Sequence, residues 1–222
     1  MSLIDQAIAN SPQTGGITAK LLESSPDPAV LKDNLLTLFF AGYETTAAGL
    51  TWAFYWSHSL PEVKRKILEE LNHDADAAMN SQSSYLSAVC REALRYFPVN
   101  VTATPRTVRS AIEIDGYEVP AGARIIPNIY LAHRCEKTYP QPEQFQPERF
   151  LNHKFSPYEF LPFGGGSRSC IGAAMVLTEM QQVIGTWFQR YPNAQLTDLN
   201  PRKPYRYGVT FLPPRDIVLK LS

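Results

Sequence analysis

The placement of proline constrains this chain more than any other single feature. Eighteen of 222 residues are proline, where average usage of about 5% would give about 11. Pro12, Pro26 and Pro28 precede residue 29, Pro61 stands alone between 29 and 97, and the other 14 follow from Pro98 onward. Helix interiors exclude proline, because it lacks the N–H and clashes with the preceding turn. The chain therefore divides into a helical first part and a loop-rich second part.

Within the first part, Ala29 to Leu60 reads as one long helix, with Leu31, Leu35, Leu38, Phe39, Gly42, Thr45 and Thr46 recurring at three- and four-residue spacing. Asp27 and Pro28 suit its cap and first turn, and Pro61 stops it. A second helix is predicted from Pro61 to Ala77, with Val63, Ile67, Leu68 and Leu71 inward and Lys64, Arg65, Glu69 and Glu70 outward, and a third from Ser83 to Tyr96. Residues 111–119 alternate polar and apolar around Asp115-Gly116, which predicts a hairpin, and Ala123 to Ile126 is a further short strand. Residues 136–168 are rich in Pro, Gly and aromatics with at most short helical turns. So long a loop within a compact domain is uncommon and points to function. A last helix is expected from Ile171 to Tyr191, followed by short strands joined by prolines. The expected fold class is mainly α with small β-sheets.

Lys plus Arg equals Asp plus Glu at 21 each, so the formal charge is zero, against a nucleic-acid or membrane-surface binder. Cys90, Cys135 and Cys170 are odd in number and widely spaced, which suggests neither a disulfide framework nor a cysteine-rich zinc site. The expected compartment is reducing. The longest apolar stretch, Leu35 to Gly42 interrupted by Thr37, falls short of the roughly 20 residues of a spanning helix. No basic segment followed by an apolar one opens the chain. The expectation is a soluble cytoplasmic protein.

Phe163-Gly164-Gly165-Gly166-Ser167-Arg168-Ser169-Cys170-Ile171-Gly172 is the most informative segment. Three successive glycines permit close backbone approach and lead into a helix, so something flat or bulky is expected against the loop. Neither G-x-x-x-x-G-K-[ST] nor G-x-G-x-x-G can be written here, which argues against a nucleotide. Cys170 sits at the entry to the helix, where unpaired N–H groups and the positive dipole end favour negative charge. A nucleophilic cysteine would want a histidine base, and His58, His73, His133 and His153 show no recognised pairing with it. A zinc ligand would want partners at usual spacings, and none exist. A single axial ligand to haem iron needs no second protein ligand on its own side. A lone cysteine of this kind is also commonly an inert core residue.

F-x-x-G-x-R-x-C-x-G, met here by Phe163, Gly166, Arg168, Cys170 and Gly172, resembles the haem-binding signature of the cytochrome P450 family of haem-thiolate monooxygenases. Three further family motifs occur in order. Ala41-Gly42-Tyr43-Glu44-Thr45-Thr46 matches A-G-x-[DE]-T-T of the oxygen-binding helix, Glu92-Ala93-Leu94-Arg95 matches E-x-x-R, and Pro147-Glu148-Arg149-Phe150 matches P-E-R-F.

The resemblance implies haem b with Cys170 as thiolate ligand to the iron. It implies haem contacts from Ala41, Gly42, Arg106, Phe163, Gly164, Arg168 and Gly172, the two arginines toward the propionates. Thr45 and Glu44 take the catalytic positions, since the family uses this threonine to hold a hydrogen-bonded water or bound oxygen and this acid to relay protons. Ala41, Glu44 and Thr45 at i, i+3 and i+4 share one helix face, and a threonine hydroxyl can bond back to the carbonyl four residues earlier. Glu92, Arg95 and Arg149 are expected as a buried structural ion-pair network, and His133 as structural. The implied partners are an electron donor (ferredoxin, flavodoxin or reductase) and a hydrophobic small-molecule substrate, with pocket positions near Leu38 and Ala41, along Val99 to Thr104 and near Val209. Lys64, Arg65 and Lys66 are candidate contacts for an acidic donor, although they also suit a solvated helix face.

The resemblance runs from about Asp5 to Leu221, so residues 1–222 are expected to form a single partial domain, the C-terminal half of the cytochrome P450 fold. The early helices and the roof of the substrate pocket lie outside it, as would any anchor in an N-terminal half. Part of the long helix should then be exposed. The alternative is a non-catalytic truncated remnant that binds haem weakly or not at all. A family member that rearranges hydroperoxides is disfavoured by the presence of Thr45.

Overall fold

The structure, a computed structural model, describes residues 3–14, 16–24, 27–208 and 210–221. Its elements in chain order begin with α1 (Leu3–Thr14), α2 (Gly16–Ser24), α3 (Pro28–Ser59), α4 (Pro61–His73), α5 (Ala75–Asn80) and α6 (Tyr85–Tyr96). The second half carries β1 (Arg106–Thr107), β2 (Ile112–Ile114), β3 (Tyr117–Val119), β4 (Arg124–Ile125), α7 (Ile129–Ala132) and α8 (Arg149–Asn152). A 3-10 turn at Gly166–Arg168, α9 (Ala173–Arg190), β5 (Gln195–Leu196), β6 (Tyr205–Tyr207), β7 (Thr210–Leu212) and β8 (Leu219–Lys220) complete it. Helix with small two-stranded sheets is the expected class. The chain divides into two compact units, 1–46 and 47–222, and the division falls inside α3.

In the first unit, α3 starts as its sequence requires. Asp27 Oδ1 accepts from the Ala29 N–H at 2.9 Å and the Asp27 carbonyl from Leu31 N at 3.0 Å, with Pro28 as the first helical residue. Leu31 is fully buried and Lys32 pairs with Asp5 at 3.3 Å. Farther along, Phe39, Phe40 and Tyr43 are 67%, 80% and 71% exposed. Sequence periodicity set Phe39 on the packed stripe; here it stacks on Tyr43 one turn later, ring centroids 6.0 Å apart.

The second unit carries the main core. Val63, Ile67 and Leu71 of α4, Leu86, Val89, Cys90, Ala93 and Leu94 of α6, and Met180, Ile184 and Phe188 of α9 pack together with Ala53. At about 1.5–3 kcal/mol for each large side chain removed from water, this three-helix cluster dominates the unit's stability. Gly185 sets how closely α9 lies on α5, since a Cβ there would stand 2.5 Å from Met79 Cγ. The sequence reading of one helix from 61 to 77 is corrected at Asp74. Its backbone turns extended (φ −156°, ψ 94°) and its side chain accepts from Ala77 N at 2.9 Å, so it closes α4 and caps α5. The N-terminus of α6 is held twice, by Ser84 Oγ accepting from Ser87 N (3.0 Å) and by the Glu70 carboxylate accepting from Tyr85 N and Leu86 N at 2.6 and 2.9 Å. Glu70, read from sequence as a solvated acid, is thus a tertiary cap.

The hairpin forms as read: Ile112 faces Val119 and Ile114 faces Tyr117, with Asp115 and Gly116 at φ 50° and 80°. The strand at 124–125 pairs with β1, a partner the proline-flanked sequence did not reveal, and α7 forms where the sequence reading assigned no element.

Candidate functional site

Glu92 and Arg95 lie one turn apart on the inner face of α6, both at zero exposure. Arg95 donates from Nε to Glu92 Oε2 (2.7 Å) and from Nη2 to Oε1 (2.8 Å), a bidentate pair. Arg149, at the start of α8, donates from Nε to the same Oε1 at 3.1 Å, and Gln146 N adds a fourth bond at 2.8 Å. The rest of the Arg95 guanidinium is spent on the carbonyls of His133, Pro142 and Gln144 at 2.8, 3.0 and 3.3 Å. Buried charges persist only when each is paired and hydrogen-bonded, and this cluster satisfies both conditions. The expected three-residue network is present, and it clamps the long loop between α7 and α8 onto α6.

His133 is also fully buried. Its Nε2 accepts from the Leu161 N–H at 2.8 Å, which leaves Nδ1 to donate to the Arg95 carbonyl at 3.2 Å. Burial, with the Arg95 charge adding to it, pushes its pKa down to about 3 and keeps the ring neutral. The neighbouring Arg134 donates to the Tyr96 carbonyl at 3.0 Å, so this pair closes the C-terminal end of α6.

Two residues beyond Leu161 the cysteine loop begins. Phe163 packs against the main core, Gly164 N donates to the Leu161 carbonyl (2.9 Å), and Cys170 N donates to the Phe163 carbonyl (2.8 Å), closing the loop on itself. Gly164 and Gly166 have φ of 71° and 68°, values that side-chain-bearing residues rarely adopt. Cys170 is a free, exposed thiol. The helix after it starts at Ala173, two residues later than read from sequence, so Cys170 stands ahead of the N-cap Gly172. Ile171 and Met175 beside it are 89% and 63% exposed. Arg168 on the 3-10 turn and Arg106 on β1 are exposed, the latter donating to the Thr104 carbonyl at 2.8 Å.

Among the described residues no group of three or more His, Cys, Asp or Glu converges to hold a metal ion. A haem brings four nitrogens of its own and asks for one sulfur with an open approach. Cys170, with apolar surface beside it and exposed guanidinium groups in the same unit, meets that requirement.

The oxygen-motif residues lie in the first unit. Ala41 and Glu44 are exposed, Gly42 and Thr45 partly so. Thr45 Oγ1 donates to the Ala41 carbonyl at 2.7 Å, the back-bond expected from the sequence. Thr37 and Thr51 make the same bond to residues 33 and 47, so it reflects helical threonine in general. A Cβ on Gly42 would meet nothing within 4 Å.

Lys64 donates to the Ala194 carbonyl (2.7 Å), Lys66 pairs with Glu148 (2.7 Å), and Arg65 pairs with Glu62 (2.6 Å) and Glu69, so each of the three basic side chains has a partner within the chain. Val99 is buried with Ala48 and Leu212, which makes it core, and Val209 lies outside the described residues. Cys90 is a core residue whose thiol burial pushes up to about 12. Exposed Cys135 has its thiol below the usual value through the backbone N–H groups of Thr138 and Lys137. Among the described residues no helix is long and apolar enough to cross a membrane.

Known proteins resemble the chain over most of its length. The family model described as Cytochrome P450 matches residues 1–220. A Mycobacterium tuberculosis protein provisionally named cytochrome P450 135B1 is 38% identical over 180 residues, covering 81% of this chain and 38% of its own length. Another from that organism, provisionally named cytochrome P450 135A1, is 34% identical over 214 residues, covering 92% and 45%. A solved zebrafish cytochrome P450, described with progesterone, superposes with a TM-score of 0.68 at 28% identity over 82% of this chain and 44% of its own. The chain thus spans less than half the length of these relatives. On four ordered motifs, the buried cluster that three of their residues build, and these likenesses, the chain belongs to the cytochrome P450 family.

Proposed function

We propose that this chain supplies the iron ligand and the oxygen-handling helix of a haem-thiolate monooxygenase that hydroxylates a hydrophobic organic substrate, with residues 1–222 as part of one cytochrome P450 domain. One observation carries the reading: the sulfur of Cys170 is free and exposed on a glycine loop that closes on itself through the Cys170 N–H to Phe163 carbonyl bond. Haem bound there would supply dioxygen activation, driven by electrons from a donor protein.

Cys170 would ligate the iron as thiolate. Phe163, Gly164 and Gly172 would shape the surface against the ring, with Gly164 permitting a turn that a side chain would strain. Arg106 and Arg168 would hold the propionates by charge-assisted bonds. Ala41 and Gly42, without bulk, would leave room for a ligand along α3. Thr45 would release its bond to the Ala41 carbonyl and hold a water or oxygen instead, and Glu44 would pass protons to it. The electron donor would be a ferredoxin, a flavodoxin or a reductase. A soluble cytoplasmic setting fits the neutral composition.

A second reading, a remnant that binds haem weakly or not at all, is favoured by the exposure of Phe39, Phe40 and Tyr43 on the helix that carries Thr45. One titration separates the two. The chain is mixed with haem, reduced and exposed to carbon monoxide; the strongly red-shifted Soret band of thiolate ligation is expected and should vanish in Cys170→Ala. Absence of that band in the unaltered chain favours the remnant.

A further inference from the structure

We infer that His133 is a positioning residue for Cys170, transmitting the rigidity of the buried Glu92–Arg95–Arg149 cluster to the cysteine loop through the Leu161 N–H. This rests on the reading of Cys170 as iron ligand. The path is short and continuous. Arg95 donates to the His133 carbonyl at 2.8 Å, and the His133 ring returns a bond to the Arg95 carbonyl at 3.2 Å, so residue and ring are fixed from both ends. The opposite ring nitrogen accepts from Leu161 N at 2.8 Å. The Leu161 carbonyl then accepts from Gly164 N at 2.9 Å, and Leu161 Cδ2 would stand 3.2 Å from a Cβ on Gly165, so Leu161 determines where the glycine turn starts. Ring packing holds the imidazole plane: Phe160 stacks on it at 5.8 Å and Tyr139 meets it edge-on at 5.9 Å.

The chemistry requires a group that accepts at one end and donates at the other while fully buried. Neutral imidazole does this with a rigid ring, which is the usual logic of an outer residue that orients a metal ligand it never touches. An apolar ring of the same size would fill the space, leave two buried backbone groups unpaired, and free the loop to shift.

Three variants test the idea. His133→Phe keeps the ring and removes both bonds. His133→Gln keeps an acceptor at the reach of Nε2. His133→Asn keeps only a donor at the reach of Nδ1. Two readouts are taken: the ratio of thiolate-type to unligated Soret band in the reduced carbon-monoxide adduct, and the alkylation rate of Cys170 in the haem-free chain, followed on its own peptide. The inference expects Phe and Asn to lower the ratio by about fivefold, the worth of one buried hydrogen bond, and to raise the alkylation rate by a similar factor, with Gln near the unaltered chain in both. Equal behaviour of all three variants, whether all unchanged or all reduced together, overturns it. Should the Phe variant fail to fold, Gln and Asn alone decide, and equality between them overturns it. Failure of the unaltered chain to give the thiolate band would defeat the functional reading instead, and the alkylation comparison would still judge His133.

Discussion

Two regions of the second unit carry opposite designs. The cluster of Glu92, Arg95, His133 and Arg149 is nearly sealed from water, and every charge in it is answered by atoms of this chain. The cysteine loop a few residues away is open, with Cys170 and Arg168 exposed and its bonds mostly internal. The contrast teaches a division of labour: the residues that hold the site are complete within the chain, whereas those that would act face outward and need a ligand to complete them. Exposed charges on α4 reinforce the point. Arg65 sits between two carboxylates, which hold its pKa above the ordinary value, yet such surface pairs contribute little.

The hardest break in that contrast is Cys170→Ala. It should abolish the thiolate-type spectrum entirely while leaving the urea unfolding midpoint unchanged, because the side chain is exposed; a large loss of stability would show the loop to be part of the core. Glu92→Gln attacks the other side. Removing one charge from a buried cluster leaves two arginines uncompensated and should cost about 3–5 kcal/mol, read by equilibrium unfolding.

Acid sharpens the comparison further. His133 and His58 have folded pKa values lowered by burial, to about 3 and about 4, below the unfolded value near 6.5. Between those limits the unfolded chain binds more protons, so stability should fall as pH falls through that window and level off beneath it. The slope should approach about 1.4 kcal/mol per pH unit for each neutral histidine, measured by urea unfolding from pH 7 to pH 4, and His133→Gln should flatten it. Gly185→Ala should cost about 1 kcal/mol, since Met79 can move partly aside, and a neutral result would mean that α5 shifts freely on α9. Arg65→Ala should change neither the unfolding midpoint nor the salt dependence of reduction by a donor.

Much of this was legible in the residues. The long helix, its Asp27 cap and the Asp115-Gly116 hairpin follow from local spacing, and the family resemblance implied the buried role of Glu92, Arg95 and Arg149. What was not legible depends on distant partners. Glu70 looks like any solvated acid until α6 presents two N–H groups to it, and Lys64 to Lys66 look like a free patch until Ala194 and Glu148 arrive. Asp74 reads as a helical residue because its neighbours keep helical periodicity on both sides.

The sequence by itself determined the split between a helical and a loop-rich part, because proline and glycine act locally, and its ordered motifs carried the resemblance to the family and the proposal of Cys170 as iron ligand. Only the tertiary structure decided which charges are spent and which remain free, and that His133 joins the buried cluster to the cysteine loop. A buried imidazole's role is fixed by the groups 2.8 and 3.2 Å from its two nitrogens, and those groups are 28 and 38 residues away in the chain.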